Sequence, residues 1–265
     1  MADLAERKPL ALANWKMAMT VAESLAYVQE LRTLAADVLD EVDVVICPPF
    51  TAIWALAQAL PGSHLELGAQ NQAAVNNPAY TGQVSAALLA DAGCRWVMLG
   101  HWEVRRYQGD DDSLVNRKIH LALQAGLHPI ILVGESAQEY QPLEGVLADR
   151  LERLLADCQP DDAEQMVFLY EPEAAIGASG PLSPEGAALG CGLIRNWLAT
   201  RFGHLTAQKI RIIYGGSVSP AHAAGLLACP DVDGLGAGRK GRAPGSFAQI
   251  VRTIAQVKHS VNGFS

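Results

Sequence analysis

Three side chains whose chemistry suits acid–base catalysis on an anionic substrate each follow a short apolar run. Glu171 comes directly after apolar and aromatic residues, and such surroundings raise the pKa of a carboxyl group and make it a better base. His101 follows Gly100, a residue that lets the backbone approach a ligand closely. Lys16 is a cation that would attract an anionic substrate and stabilise its developing charge. Taken singly, Lys16 is more typical of a surface lysine and His101 of a structural histidine.

Eight apolar runs provide the framework that must hold these groups. The runs are nearly continuous rather than alternating, as in strands buried on both faces of a parallel sheet. Helical patterns alternate with them, which indicates right-handed βαβ units, and eight such units fit a closed barrel better than an open sheet. No linker or low-complexity segment divides the chain. We predict an α/β protein with one (β/α)8 TIM-barrel domain over residues 1–265, with strands at residues 10–13, 42–46, 65–68, 96–99, 129–133, 166–170, 210–214 and 232–237.

Helix signals lie between several of these runs. Thr20 and Glu23 have the spacing of a capping box. Ser183, Pro184 and Glu185 supply an N-cap, a proline at the first helical position and an acid in the first turn. Glycines in the helix that follows cost stability, so we expect either close packing or an early break there. The predicted helices cover residues 20–37, 112–124, 143–158 and 246–259, and a further helix starts at residue 183. The glycines of this last helix are Gly186, Gly190 and Gly192.

Polar residues follow most of the runs at the point where each strand should end. In (β/α)8 barrels the active site lies at the carboxyl ends of the strands, so these residues are expected to meet. Glycines after the seventh and eighth runs are typical of turns. After the seventh and eighth strands of a barrel, they are also typical of a phosphate site built from backbone N–H groups. In chain order the candidates are Asn14, Lys16, Gln70, Asn71, His101, Glu103, Glu135, Glu171, Ser217, Gly238 and Arg239.

The composition excludes several classes of protein. The net charge is −8 and the pI is about 5.3, whereas nucleic-acid-binding domains usually carry a basic patch. No apolar run reaches the roughly 18 residues that span a bilayer. The first nine residues lack the apolar core of a secretory signal. We therefore expect a cytoplasmic protein that binds neither nucleic acid nor membrane.

No metal or organic cofactor is expected from the sequence. The five cysteines are scattered and never form a CxxC pair, which fits a reducing compartment better than a disulfide framework or a zinc site. The histidines other than His101 show no metal-ligand spacing. No GxGxxG opens a helix after a strand, so a dinucleotide site is not indicated.

A series of short motifs carries a resemblance that covers nearly the whole chain. In order and at matching spacing, these motifs are similar to those of the triosephosphate isomerase family. Each motif is modest by itself, but the whole ordered set is highly specific. The motifs are Asn14-Trp15-Lys16-Met17, Cys47-Pro48-Pro49-Phe50, Gly68-Ala69-Gln70-Asn71, Tyr80-Thr81-Gly82, Gly100-His101 with Glu103, Gly134-Glu135, Tyr170-Glu171-Pro172, Ala175-Ile176-Gly177 and Tyr214-Gly215-Gly216-Ser217-Val218.

The resemblance implies a cofactor-free isomerase of a small sugar phosphate. Glu171 would remove a proton from the carbon next to the carbonyl, and neutral His101 would donate a hydrogen bond to the carbonyl oxygens. Lys16 and Asn14 would stabilise the enediolate, with Glu103 in support. The resemblance further implies a lid at residues 172–180, a loop at residues 71–83 that docks into a second subunit of a homodimer, and phosphate contacts from Gly177, Ser217 and Gly238.

Two departures from the family pattern concern the subunit contact. The family has an arginine at the position of Val104 and an acid at the position of Gln83, and these charges help to hold its subunits together. Both charges are absent here. We therefore expect a dimer contact made of apolar and neutral polar groups, with little dependence on salt.

Other departures concern the catalytic helix, the lid and the phosphate turn. Trp102 replaces a small serine after the histidine, and Leu132 replaces a cysteine. At the lid hinge Glu173 and Ala174 replace an apolar residue and a tryptophan, so a packing anchor is lost and a negative charge is placed near an anionic substrate. Arg239, followed by Lys240, replaces the second glycine of the phosphate turn. The Arg239 side chain would either enter the pocket, narrowing it or binding the substrate anion, or point to solvent; both alternatives stay open.

Three functions remain compatible with these residues. The first is the isomerisation of D-glyceraldehyde 3-phosphate and dihydroxyacetone phosphate that the resemblance implies. The second is a related aldose–ketose isomerase for another short sugar phosphate, such as a tetrulose phosphate, because the lid, Trp102 and Arg239 differ. The third is a non-catalytic barrel, against which the intact Asn14, Lys16, His101 and Glu171 argue.

Overall fold

Eight parallel strands close into a barrel in which each strand pairs with its neighbours in chain order and β1 pairs with β8. The computed structural model describes the backbone of residues 7–262 and the side chains of residues 7–259; the outer limits of the predicted domain, residues 1 and 265, lie outside this part. Each strand falls on one of the eight apolar runs, so the predicted (β/α)8 barrel is confirmed. The strands are β1 Leu10–Asn14, β2 Asp43–Cys47, β3 Leu65–Ala69, β4 Trp96–Leu99, β5 His128–Val133, β6 Val167–Tyr170, β7 Arg211–Gly215 and β8 Gly234–Ala237.

Helices surround the barrel and connect its strands. Two 3-10 turns lie at Glu173–Ala175 and Lys240–Arg242. The α-helices of the described chain are α1 Val21–Leu34, α2 Phe50–Ala59, α3 Ala86–Asp91, α4 Trp102–Gln108, α5 Asp112–Gln124, α6 Leu143–Leu154, α7 Pro160–Glu164, α8 Pro184–Phe202, α9 His204–Lys209, α10 Pro220–Leu227 and α11 Pro244–Asn262. None of these helices combines the length and apolar character that a membrane span requires.

Two helices end earlier than predicted, and the last helix, predicted at residues 246–259, extends over Pro244–Asn262. α1 ends at Leu34 rather than at residue 37, since Ala35 leaves the helical region while its N–H still bonds to the Leu31 carbonyl. α6 ends at Leu154 rather than at residue 158. Its C-cap Leu155, with a φ of −109° and a ψ of 20°, has left the helical region, and the left-handed φ of +63° at Asp157 prevents the helix from resuming before residue 158.

The strands are continuous in their apolar character because both of their faces are buried. Alternate side chains of β1 point to opposite faces: Leu10 and Leu12 belong to the cluster that fills the barrel, whereas Ala11 and Ala13 belong to the layer beneath the helices. The inner cluster consists of Leu10, Leu12, Val45, Cys47, Trp96, Met98, Ile130, Leu132, Val167, Leu169 and Ile213.

The glycine-rich helix α8 is unbroken, and one of its glycines explains how. A Cβ atom on Gly190 would lie 2.1 Å from Cε1 of Tyr170, so only glycine lets the helix approach β6 this closely. Of the two alternatives expected for this helix, close packing is the one observed. The contact fixes Tyr170, the residue directly before Glu171.

Candidate active site

The carboxyl ends of the strands surround a cavity of about 370 Å³ at one mouth of the barrel. Inner side chains of the barrel, including Leu12, Met98, Leu132 and Leu169, form its floor. All nine residues proposed for the site from the sequence line this one cavity: Asn14, Lys16, His101, Glu103, Glu171, Gly177, Ser217, Gly238 and Arg239. Of the other polar candidates, Glu135 accepts the hydroxyl proton of Tyr170, with an O–O distance of 3.1 Å, whereas Gln70 and Asn71 line a separate groove.

Lys16 is held at the mouth in a conformation that lysine rarely adopts. Its φ is +53°, and its backbone N–H donates to Oδ1 of Asn14 at 2.9 Å. Nε2 of Gln70 donates to the Lys16 carbonyl at 2.8 Å and to the Cys47 carbonyl at 3.0 Å. Such backbone conformations cost energy and persist where neighbouring groups enforce them, as these bonds do here. The ammonium group is thereby directed into the cavity, where Glu103 accepts from it at 2.5 Å.

His101 is buried and neutral, with its proton on the nitrogen that faces the cavity. It is the N-cap of α4, and its Nδ1 accepts from the backbone N–H of Glu103 at 3.0 Å, so the proton must reside on Nε2. Burial and then the charge of Lys16 lower the pKa of His101 to about 4, although Glu103 acts in the opposite direction. The positive end of the helix dipole also disfavours a charged imidazole at this position. His101 is therefore a hydrogen-bond donor, without a positive charge, at neutral pH.

Glu171 faces His101 across the cavity as a carboxylate with few partners. Oε2 of Glu171 lies 3.7 Å from Nε2 of His101, which is too far for a hydrogen bond, and it has no hydrogen-bond partner in the described chain. Burial raises the pKa of Glu171 to about 7, against the opposing effect of Lys16. A carboxylate with this pKa and a free oxygen aimed into a cavity is suited to accept a proton from a bound molecule.

The glycine-rich turn after β7 contacts the segment that follows Glu171. Oγ of Ser217 donates to the carbonyl oxygens of Ala175 at 2.9 Å and of Ala178 at 3.0 Å. Because the hydroxyl is occupied in this way, the backbone N–H is the group that Ser217 can offer to a ligand. The hydroxyl of Tyr214 accepts from the backbone N–H of Leu182 at 2.9 Å. Residues 172–180 are therefore held over the cavity at Ala175 and Ala178, and the chain just after them is held at Leu182.

The sequence did not identify Tyr214 as part of this closure. It ends an apolar run and is fully buried, which is typical of a core residue, and only the position of its hydroxyl shows the contact with Leu182, two residues after the predicted lid.

The sequence led us to expect the negative charge of Glu173 near the cavity. The structure places it elsewhere. Its carboxylate forms an ion pair with Arg106 and accepts from Oγ of Ser136 and the backbone N–H of Ala137, both at 3.0 Å. These contacts, the bond from Ala137 foremost, hold the pKa of Glu173 below its usual value. The negative charge is neutralised outside the cavity by the Arg106 guanidinium of α4.

The Arg239 side chain is exposed at the rim of the cavity. Lys240 and Arg242 from the adjoining 3-10 turn line the same rim, and all three side chains make no hydrogen bond or ion pair within the described chain. This arrangement places positive charge beside the turn that carries Gly238 without closing the cavity. In the described part of the chain, no group of three or more His, Cys, Asp or Glu residues has a geometry that could hold a metal ion.

A family model described as triosephosphate isomerase matches residues 9–254 of the chain. The chain belongs to the triosephosphate isomerase family.

Relatives named triosephosphate isomerase match over almost their full length. The protein of Carboxydothermus hydrogenoformans is 42% identical over 248 residues, which cover 93% of this chain and 98% of the relative. That of Symbiobacterium thermophilum is 40% identical and covers 95% of this chain and 99% of the relative. That of Bordetella pertussis is 42% identical, over 86% of this chain and 90% of the relative. The resemblance drawn from the motifs is thus confirmed, and a carboxylate facing a neutral imidazole is an arrangement for which this family is the standard example.

Proposed function

We propose that this member of the triosephosphate isomerase family interconverts D-glyceraldehyde 3-phosphate and dihydroxyacetone phosphate. The observation that carries the proposal is the pair formed by Glu171 and His101. A base with a pKa near 7 and a neutral donor face each other at 3.7 Å across a cavity that also holds the Lys16 ammonium. Proton abstraction beside a carbonyl needs these three groups and no redox cofactor.

The reaction follows from the placement of these groups. Glu171 removes a proton from the carbon next to the carbonyl, and the C–H electrons form the double bond of an enediolate. The carbonyl oxygen, polarised by Nε2–H of His101 and the charge of Lys16, takes up the negative charge. His101 shuttles a proton between the two oxygens, and Glu171 returns its proton to the neighbouring carbon. The aldose is thereby converted into the ketose without net gain or loss of atoms.

The lid at residues 172–180 protects this intermediate. An enediolate beside a phosphate ester loses phosphate readily, and exclusion of water with fixed geometry suppresses that side reaction. The bonds from Ser217 and Tyr214 support a closed lid during turnover. We further propose that the backbone N–H groups of Gly177, Ser217 and Gly238 bind the phosphate, and that the Arg239 side chain at the rim attracts it.

The first test is turnover by the purified protein. We expect D-glyceraldehyde 3-phosphate to be isomerised with a kcat/KM about 10- to 100-fold above that for a tetrulose phosphate, because one extra carbon must be accommodated under the closed lid. Glu171→Gln, purified in parallel, excludes activity from host enzyme. Wild-type turnover equal to that of Glu171→Gln would indicate a non-catalytic barrel.

A second candidate function is isomerisation of another short sugar phosphate. The side chains of Arg239, Lys240 and Arg242 at the rim favour it, because free cations beside the phosphate turn suit a substrate with further polar groups. A higher kcat/KM for the tetrulose phosphate than for the triose phosphate would establish this alternative.

We also propose that the chain acts as a cytoplasmic homodimer. All five cysteines are free thiols, which suits a reducing compartment. Gln83 and Val104 line one groove of about 450 Å³, so the two uncharged departures are neighbours in space. The loop at residues 71–83 is anchored from below by Lys118, whose ammonium donates to Oδ1 of Asn71 at 3.0 Å. Met17, next to Lys16, is 99% exposed in the single chain, and a second subunit would cover it.

This subunit contact is expected to tolerate salt. Neither Gln83 nor Val104 carries a charge that salt could screen, so the dimer Kd should change less than about threefold between 50 and 500 mM NaCl. Sedimentation velocity over a dilution series measures it. Val104→Glu should weaken the dimer, whereas Leu205→Glu, at an exposed apolar residue of α9 outside the groove, should not. A Kd that rises tenfold or more with salt would count against the proposed contact.

A further inference from the structure

We propose that Trp102 is a positioning residue that fixes the base Glu171 relative to the donor His101. This inference rests on the proposed function of the same site. Nε1–H of the Trp102 indole donates to the backbone carbonyl oxygen of Glu171 at 2.9 Å. Trp102 directly follows His101, so this hydrogen bond links the residue next to His101 to the main chain of Glu171.

The main chain of Glu171 is also held from the β5 side. Its N–H donates to the Val133 carbonyl at 2.8 Å. Its carbonyl oxygen lies against Gly134, where a Cβ atom would come within 2.2 Å of it. The Trp102 bond therefore completes the restraint by holding the carbonyl from the α4 side. With both peptide groups fixed, the side chain leaves the backbone at a set place and angle.

The indole ring is itself in contact with two guanidinium groups. Cζ of Arg150 lies 4.9 Å and Cζ of Arg105 5.8 Å from the ring centre, distances typical of cation–π contacts. Arg105 is bound to the Gly100 carbonyl at 2.8 Å and to Asp112 at 2.7 Å. Arg150 is bound to Glu139 at 3.1 Å. The ring has little freedom to move away from Glu171.

A second tie between α4 and the lid hinge lies one helical turn further on. Arg106 is four residues after Trp102 and therefore on the same face of α4, and it forms the ion pair with Glu173. Glu173 lies two residues after Glu171, and its N–H donates to the Glu135 carbonyl at 3.0 Å. Helix α4 thus presents the donor at its first turn and restrains both the base and the start of the lid.

Loss of the Trp102 bond should impair the chemical step more than substrate binding. Reacting groups must be held within fractions of an ångström, and a displacement of about 1 Å can cost a hundredfold in rate. Trp102 does not line the cavity, and the groups proposed to bind phosphate lie elsewhere. A displaced base therefore lowers kcat while leaving KM nearly unchanged.

Trp102→Phe tests this, because it removes the N–H donor and keeps an aromatic ring beside the arginines. We expect kcat to fall about 10- to 100-fold with KM within twofold of the wild type. The deuterium isotope effect on proton abstraction should rise, since that step becomes rate-limiting. Trp102→Leu, which also lacks the donor, should behave alike. Trp54→Phe, at a tryptophan of α2 that is 62% exposed, is the matched control and should leave all three values unchanged.

A binding measurement separates this inference from the proposed function. Calorimetry with 2-phosphoglycolate, whose carboxylate mimics the charge of the enediolate, and with glycerol 3-phosphate needs no turnover. Trp102→Phe should weaken the first about tenfold and the second hardly at all. A variant with wild-type kcat, isotope effect and 2-phosphoglycolate affinity, or equal losses in Trp54→Phe, would overturn the role of Trp102. A wild type that fails to isomerise the triose phosphate would contradict only the proposed function.

Discussion

Glu171→Gln is expected to lower kcat for the triose phosphate by about 10³- to 10⁴-fold. The amide is nearly the same size as the carboxylate but accepts no proton, so the variant lacks the base and retains the shape of the cavity. KM should change little, because the groups proposed to bind the phosphate are untouched. A progress curve with a coupled dehydrogenase measures the loss. A variant that keeps more than a tenth of wild-type kcat would show that another group is the base.

The same substitution should stabilise the fold above neutral pH, which shows that lost activity is not lost structure. Folding raises the pKa of Glu171 from 4.5 to about 7, so the unfolded chain ionises first as the pH rises. Stability from the neutral carboxyl is complete below pH 4.5 and is lost between pH 4.5 and 7, by up to about 3 kcal/mol. Glutamine does not titrate. In urea unfolding at equal protein concentration, Glu171→Gln should exceed the wild type at pH 8 and match it at pH 4.5.

Lys16→Met is expected to lower kcat/KM by about 10²- to 10³-fold. The ammonium is the cation nearest the developing enediolate, and removal of one such donor typically has an effect of this size. Lys240→Met is the matched control, because Lys240 lines the rim of the same cavity at a distance from the base and should affect only KM. Equal losses in the two variants would mean that Lys16 merely attracts anions.

The pH profile supplies an independent readout for Lys16. The wild-type kcat/KM should fall below about pH 7 as Glu171 becomes protonated. The Lys16 charge lowers the pKa of both Glu171 and His101, so its removal raises both and should move this acid limb to higher pH. The substrate phosphate titrates near pH 6 in either case. An acid limb that stays in place in Lys16→Met would assign it to the substrate rather than to Glu171.

The barrel and the location of the site follow from local sequence patterns. A run of apolar residues at residues 166–170 reads as a strand because both of its faces must be buried, and Glu171 follows at its end. The same logic applies to Asn14, His101 and Ser217. Since parallel strands point the same way, the residues after them meet at one mouth, and the sequence could place them together without knowing any distance.

Contacts between residues that are far apart in the sequence could not be predicted from local patterns. The expectation that Glu173 places its charge near the substrate failed because its partner Arg106 lies 67 positions earlier in the sequence. Trp102 was visible only as a departure from a family pattern, and its bond to the Glu171 carbonyl depends on the packing of α4. The early ends of α1 and α6 depend on the backbone conformations of the C-cap residues Ala35 and Leu155, which these residue types do not dictate.

Ser217 contacts the lid through its hydroxyl and is proposed to contact the phosphate through its backbone N–H. Lid closure and phosphate binding therefore favour each other. Its hydroxyl holds the carbonyls of Ala175 and Ala178, while its N–H is directed to the phosphate in the proposed complex. Lid closure and phosphate binding both fix the position of Ser217. Thermodynamic linkage requires that each of the two events favours the other to the same extent. The nonreacting end of the substrate thereby acts as an activator of its own conversion. A neutral triose would fit the cavity but would lack the group whose binding energy keeps the lid shut, and it would react slowly even when bound.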